Sequence, residues 1–247
     1  MRLTRLFILG LSSFLILTAC STKEEEEAKE STTEEKAEPK EVTEEDIDDE
    51  VLQKVVDQSK EVESYHTSLD IEAELDEEDD ETLNVEVDYI DSNPPEIALT
   101  SLDVLRTVSK DGHTYFNNDE EWVEITDSIE ESAVFSVTYQ QVVNTLMTVK
   151  DKLEHETKDG KDVYKYEGND ENVYRAIERL IHVNFGNVNT SNNDTKFKFV
   201  INNDKRIEKV EFDVEINDDE GKVDLKGESN FSQFNEVKEI ELPEEIE

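Results

Sequence analysis

The side chains able to do chemistry in this chain are one cysteine, four histidines and a large excess of carboxylates. His66, His113, His155 and His182 are scattered and share no spacing of the His-x-x-x-His kind that sets two imidazoles on one helical face, so a metal site built on them is not expected. The acidic runs Asp76-Glu77-Glu78-Asp79-Asp80-Glu81 and Asp218-Asp219-Glu220 lack the ordered ligand spacing and the glycine of a calcium loop, and imply weak, nonspecific cation association at most. Asp111-Gly112 and Asp159-Gly160 have neither acidic partners at the preceding alternate positions nor a closing Glu, and read as hairpin turns. There is no Gly-x-Ser-x-Gly elbow and no glycine-rich phosphate loop, and nothing nominates one pair among 66 acidic residues for acid–base work. The expectation is a protein that is not an enzyme and has no cofactor or metal.

Cys20 is different because of what precedes it. Arg2 and Arg5 stand ahead of an apolar stretch over residues 6–17, which ends in Leu17-Thr18-Ala19-Cys20. About 12 apolar residues fall short of the roughly 20 needed to cross a bilayer as a helix, so the stretch reads as a secretory signal that is removed. The small residues Thr18 and Ala19 suit a peptidase cutting between Ala19 and Cys20. Leu-Thr-Ala-Cys resembles the bacterial lipobox, whose thiol is joined to diacylglycerol as the cysteine becomes the new amino terminus. As the chain's only cysteine, Cys20 has no intramolecular disulfide partner. The implied address is the outer face of the cytoplasmic membrane, with membrane lipid as a partner through Cys20. The implied division is a signal over residues 1–19, a lipidated cysteine and acidic tether over 20–47, and a folded domain over 48–247.

The tether is rich in Glu, Lys, Ser and Thr, and buries too little apolar surface to offset the entropy of ordering it. A solvated helix through Glu24-Glu25-Glu26-Glu27-Ala28-Lys29-Glu30 is the alternative. As a coil of about 27 residues it spans roughly 30 Å. The whole chain carries a formal charge of −41, of which the part beyond residue 50 carries −32. Such a body excludes nucleic acid as a partner and is repelled by anionic lipid. It also predicts a surface suited to saline or alkaline surroundings, soluble at the cost of self-repulsion.

Periodicity supplies the elements. Residues 47–64 place Ile47, Val51, Leu52, Val55, Val56 and Val62 on one side of a helical wheel, with Asp46 or Asp48 as cap. The period then becomes two through Tyr65, Thr67, Leu69, Ile71, Ala73 and Leu75, and again through Leu83, Val85, Val87 and Tyr89, which predicts a hairpin. After Asn93-Pro94-Pro95 a meander follows over residues 97–102, 104–109, 113–117 and 121–125. Further helices are predicted over 138–153 and over 170–185, the latter stopped by Gly186. A strand pair around Asp159-Gly160 lies between them, and three long alternating strands end the domain. The total is about nine to eleven antiparallel strands and three helices.

A helix leading into a hairpin, a meander with Tyr115-x-Asn117 and Trp122, an inserted helical part and an ending Phe234-Asn235 to Ile240-x-Leu242-Pro243-Glu244-Glu245 resemble Gram-positive lipoproteins of unknown function that look like members of the LolA-like superfamily, and more distantly the LprG-type lipoproteins. The resemblance covers residues 48–247 and rests on order and spacing. It implies an α+β fold, a single strongly curved antiparallel half-barrel sheet with helices on its concave side, and a hydrophobic cavity able to take acyl chains. It supplies no catalytic residues. Residues that would line such a cavity are Leu69, Ile71, Val85, Val87, Tyr89, Tyr115, Trp122, Leu146, Met147, Ile177, Phe197, Phe199 and Phe212; the plainer reading of the same residues is sheet and helix core. The functional expectation is a non-enzymatic, anchored lipoprotein binding a hydrophobic ligand or lipidated partner. Its alternative is an envelope lipoprotein with a self-filled core that docks another protein or a second copy, the oligomeric state being open.

Overall fold

The computed structural model of the chain describes residues 47–75, 80–128, 134, 135, 137–181, 190, 192–218 and 221–246. Cys20, Ala19, the signal and the tether up to residue 46 lie outside the described residues, as do most of the acidic run after Leu75, His182, and Phe185 with Gly186. The domain begins with α1 (Glu50–Ser59). Its cap is Asp49, whose Oδ1 accepts from the Val51 and Leu52 amides at 2.8 and 3.2 Å, so Asp48 is not the cap. The helix is shorter than its apolar wheel: the Glu61 and Val62 amides bond back to Gln58 and Ser59, closing it before Val62. The Asp49 Oδ2 also accepts the Tyr164 hydroxyl at 2.7 Å, which ties the start of α1 to a distant strand.

Two long strands follow, β1 (Ser64–Leu75) and β2 (Glu81–Ile90), then the meander β3 (Glu96–Ser101), β4 (Val104–Lys110), β5 (His113–Asn117) and β6 (Trp122–Glu124). Helix α2 (Tyr139–Val149) is capped by Thr138, whose Oγ1 accepts from the Gln141 amide. β7 (Glu154–Lys158) and β8 (Lys161–Gly168) flank the expected Asp-Gly turn, in which Asp159 and Gly160 take φ of 51° and 80°. Asp111 and Gly112 do the same between β4 and β5. Helix α3 (Glu171–Ile181) leads to β9 (Asn193–Ile201), β10 (Ile207–Asp218) and β11 (Gly221–Ser232).

Among the described residues all eleven strands form one antiparallel sheet in the order β6-β5-β4-β3-β2-β1-β11-β10-β9-β8-β7, left open at β6 and β7. The fold is α+β, with three helices on one curved sheet, because a twisted open sheet of this width curls. The β1–β11 pair joins the two halves of the sheet, and a latch at Asn235 holds the end of β11 to the start of β1. Its Oδ1 accepts from the Glu63 amide at 2.8 Å, its Nδ2 donates to the Glu61 carbonyl at 2.8 Å, and its amide donates to the Ser64 carbonyl. Asn235 reaches these partners from a left-handed φ of 63°, a conformation that Asn tolerates better than most residues.

Alternation sorts the two faces. Inward go Tyr65, Leu69 and Ile71 of β1, Val85 and Val87 of β2, Ile97 and Leu99 of β3, Phe197 and Phe199 of β9, and Val210, Phe212 and Val214 of β10; they share one buried cluster with the apolar sides of all three helices. Outward go rows of opposite charge, such as Lys209 between Glu211 and Glu228 at 3.0 and 2.8 Å. The tail crosses the meander, where Lys110 Nζ donates to the Ile240 carbonyl at 2.7 Å; Ile240 and Val108 are buried there, apart from the main cluster. Half-exposed ion pairs contribute ~0–1 kcal/mol each, which does not offset the mutual repulsion of a molecule at −41. Between low salt and 1 M sodium chloride the melting temperature is therefore expected to rise, by ~4–8 °C if screening returns about 2 kcal/mol. A flat or falling melting temperature would contradict the self-repulsion.

Candidate hydrophobic site

The inner face is built from strands whose alternate residues are apolar, and it is roofed by helices whose apolar stripe faces them. From α2 come Val142, Val143, Leu146 and Met147, and from α3 Val173, Ala176, Ile177 and Leu180, all buried. The helical layer is pinned to the sheet by a chain of two tyrosines. The Tyr65 hydroxyl on β1 accepts from the Tyr139 amide at 3.1 Å, and the Tyr139 hydroxyl accepts from the Ile207 amide of β10 at 3.0 Å. Burial pushes the Tyr65 phenol far up, against the lowering pull of the Tyr139 amide; burial pushes Tyr139 up to about 12, opposed by the Ile207 amide and the Arg206 charge. Both stay neutral, as acceptors of backbone amides in an apolar setting must. Around them Tyr89 stacks on Tyr65 at 5.0 Å, and Phe234 meets Tyr139 edge-on at 5.3 Å.

Of the residues singled out by sequence, Leu69, Ile71, Val85, Val87, Leu146, Met147, Ile177, Phe197, Phe199 and Phe212 come together in this cluster, each 5% exposed or less. Tyr89 packs on its margin. Tyr115 and Trp122 are not brought to it. Register explains why: Phe116 faces inward opposite Thr107 and Val123, so Tyr115, opposite Val108 and Glu124, and Trp122, opposite Asn117, project from the other face.

A polar cluster closes one end of the inner face, and sequence reasoning missed it. Asp162 on β8 accepts from Lys205 Nζ at 2.6 Å and is 3.1 Å from His155 Nε2, while the His155 ring lies parallel to Tyr164 at 4.4 Å. Burial pushes the Asp162 carboxyl up, but the Lys205 ammonium and the His155 ring together outweigh it and hold the group below the usual carboxylate range. Burial also raises the Tyr164 phenol, helped by its bond to the Asp49 carboxylate. A carboxyl depressed by folding contributes stability that is present above its unfolded pKa and lost as pH falls through the folded one. Asp162→Asn is accordingly expected to cost ~1–3 kcal/mol at pH 7, and the gap to the parent protein should close as pH falls below about 4. Urea titrations at pH 7 and pH 3 check this; an unchanged gap would show that Asp162 does not act through its charge.

Three of the surface openings among the described residues bear on the site. One of about 420 Å³ is lined by Lys54 and Gln58 of α1 and by Asn203, Asp204, Lys205 and Arg206 of the β9–β10 hairpin. A second, about 480 Å³, lies over Gly227 between charged side chains of β1, β10 and β11 and the polar Thr82 and Asn84 of β2; a third, about 670 Å³, runs among Lys165, Lys196, Lys198 and their acidic neighbours. Among the described residues no group of three His, Cys, Asp or Glu side chains is placed to hold a metal ion, and no helix is long and apolar enough to cross a membrane.

The model of a family of unknown function, DUF6612, matches residues 108–247, more than half the chain. The chain belongs to that family. The DUF6612 match takes in the sheet from the end of β4 through β11 together with α2 and α3, and leaves α1 and β1–β3 outside it. No curated protein matches the sequence. Among solved structures, the chain resembles LprF from Mycobacterium bovis at 12% identity and a TM-score of 0.38, over 78% of this chain and 95% of that one. It also resembles a LolA superfamily protein from Nitrosomonas europaea at 10% identity and a TM-score of 0.28, over 79% of this chain and 96% of the other.

Proposed function

We propose that this DUF6612 member is a non-enzymatic lipoprotein of the outer face of the cytoplasmic membrane, held there by Cys20, and that its body binds a hydrophobic ligand, an acyl chain or lipidated partner, between sheet and helices. The observation that supports this reading is the open sheet whose inner face is apolar from β2 to β9 and whose cover is three helices of 10 or 11 residues. Helices this short are marginal by themselves, so the roof depends on apolar contact with the sheet and can exchange that contact for an acyl chain of similar surface. Leu146, Met147 and Ile177 are the side chains such a ligand displaces.

Native mass spectrometry of the full chain, released from detergent after purification from bacterial membranes, tests the reading. One bound lipid or fatty acid per protein is expected. A mass that stays that of the bare protein after exposure to excess oleate would overturn it. One observation favours a second reading, a structural lipoprotein that docks a partner: ten of the residues singled out by sequence already pack against one another at 5% exposure or less. An empty dimer in the same experiment is the outcome that reading expects.

A further inference from the structure

At the opening between α1 and the β9–β10 hairpin the cations Lys54, Lys205 and Arg206 outnumber the carboxylate Asp204, whereas carboxylates match or outnumber cations at the other two. Most lysines and arginines among the described residues meet a carboxylate, including Lys205 of this opening, whose ammonium is held by Asp162 at 2.6 Å. Among the described residues Lys54 and Arg206 have no ion pair, although Asp204 lines the same space. Arg206 is held in place by packing. Its guanidinium carbon stands 5.3 Å over the Phe234 ring, which is itself packed edge-on to Tyr139 in the apolar roof. Arg206 Nε is buried without any hydrogen-bond acceptor. A buried guanidinium donor left unpaired is costly, and Arg206 and Lys54 line one opening in which Asp204 is the carboxylate among the lining residues. Its position couples charge to grease: Lys54 stands on the helix whose Leu52 and Val55 enter the core, and Arg206 adjoins Ile207, which is fully buried and bonded to Tyr139.

We propose that Lys54 and Arg206 bind the anionic head, a carboxylate or phosphate, of an amphiphile whose apolar tail runs inward beside Phe234 and Tyr139. The ligand class is thereby an anionic amphiphile rather than a neutral one. This inference rests on the hydrophobic-ligand reading above, and its test separates the two.

The full chain in neutral detergent is titrated at 0.15 M salt with oleate, with oleyl alcohol and with inorganic phosphate, and bound species are counted by native mass spectrometry. Oleate is expected to bind at least about tenfold more tightly than oleyl alcohol. Lys54→Gln and Arg206→Gln should each remove most of that preference, bringing the affinity for oleate down toward that for oleyl alcohol. Lys54 is exposed on α1, so its variant keeps the test valid if loss of Arg206 disturbs the fold. Equal affinity for oleate and oleyl alcohol in the parent protein would overturn the anionic head while leaving the hydrophobic reading standing. Failure to bind either would overturn both. Phosphate that binds alone and displaces no oleate would assign the pocket to a free anion and overturn the amphiphile.

Discussion

Cys20→Ala is expected to move the protein from the membrane fraction to the culture fluid and to abolish incorporation of labelled palmitate. The size of the effect follows from what else holds the chain to the bilayer. Each buried methylene contributes ~0.8 kcal/mol, so one chain of about 14 carbons binds reversibly while two or more hold stably. The body works against attachment: at −32 beyond residue 50 it is repelled by anionic lipid. Loss of the thiol should therefore release the body. The informative comparison is Cys20→Ala against a charge change within the tether, such as Lys29→Glu, which should leave the protein on the membrane. If Cys20→Ala still sediments with membranes after a salt wash, the lipid anchor proposed at residue 20 is wrong.

Much of the framework was legible because the signals were local. Strands β1, β9, β10 and β11 are long enough for alternation to fix their faces, as in Phe197-Lys198-Phe199, and both Asp-Gly turns carry the left-handed φ that their residue types predict. The meander was less legible. Its strands are short, the two prolines reset the count, and the register slips between Leu99 and Thr100, so the inward parity of β5 could not be read from Tyr115-x-Asn117. The wheel of α1 ran past its true end because Val62 continues the apolar stripe while its amide already turns toward β1. Asn235 entered the resemblance as part of an ending without a known role; the structure makes it the latch between the two halves of the sheet. Lys54 and Arg206 could not have been paired from sequence, since 152 positions separate them and neither belongs to a motif.

The second large effect is expected at Gly227, a position with no sequence signal beyond a glycine inside a strand. On β11 Gly227 sits opposite Phe212 of β10 and Ile71 of β1. A Cβ there would stand 2.3 Å from Phe212 Cζ and 2.8 Å from the Asp70 carbonyl oxygen, so the ring lies across the space that any other residue would fill. Glycine in a strand otherwise costs stability, and Gly→Ala at an unobstructed site gains ~0.4–1 kcal/mol through the unfolded chain. Here the sign should reverse. Gly227→Ala is expected to cost ~2–3 kcal/mol, because a core aromatic and a backbone carbonyl cannot both give way. That is ~4–12 °C in melting temperature for a domain of this size. Phe212→Ala alone should cost ~3–5 kcal/mol through the cavity it leaves. In the double variant the ring is gone and only the Asp70 carbonyl opposes the new methyl, so the two costs should fall short of additive by about 1 kcal/mol or more. Equal cost of Gly227→Ala in both backgrounds would show that the ring is not what requires glycine. Phe212 belongs to the apolar face proposed to meet ligand, so the same pair of variants reports whether loosening that face raises oleate uptake as it lowers stability.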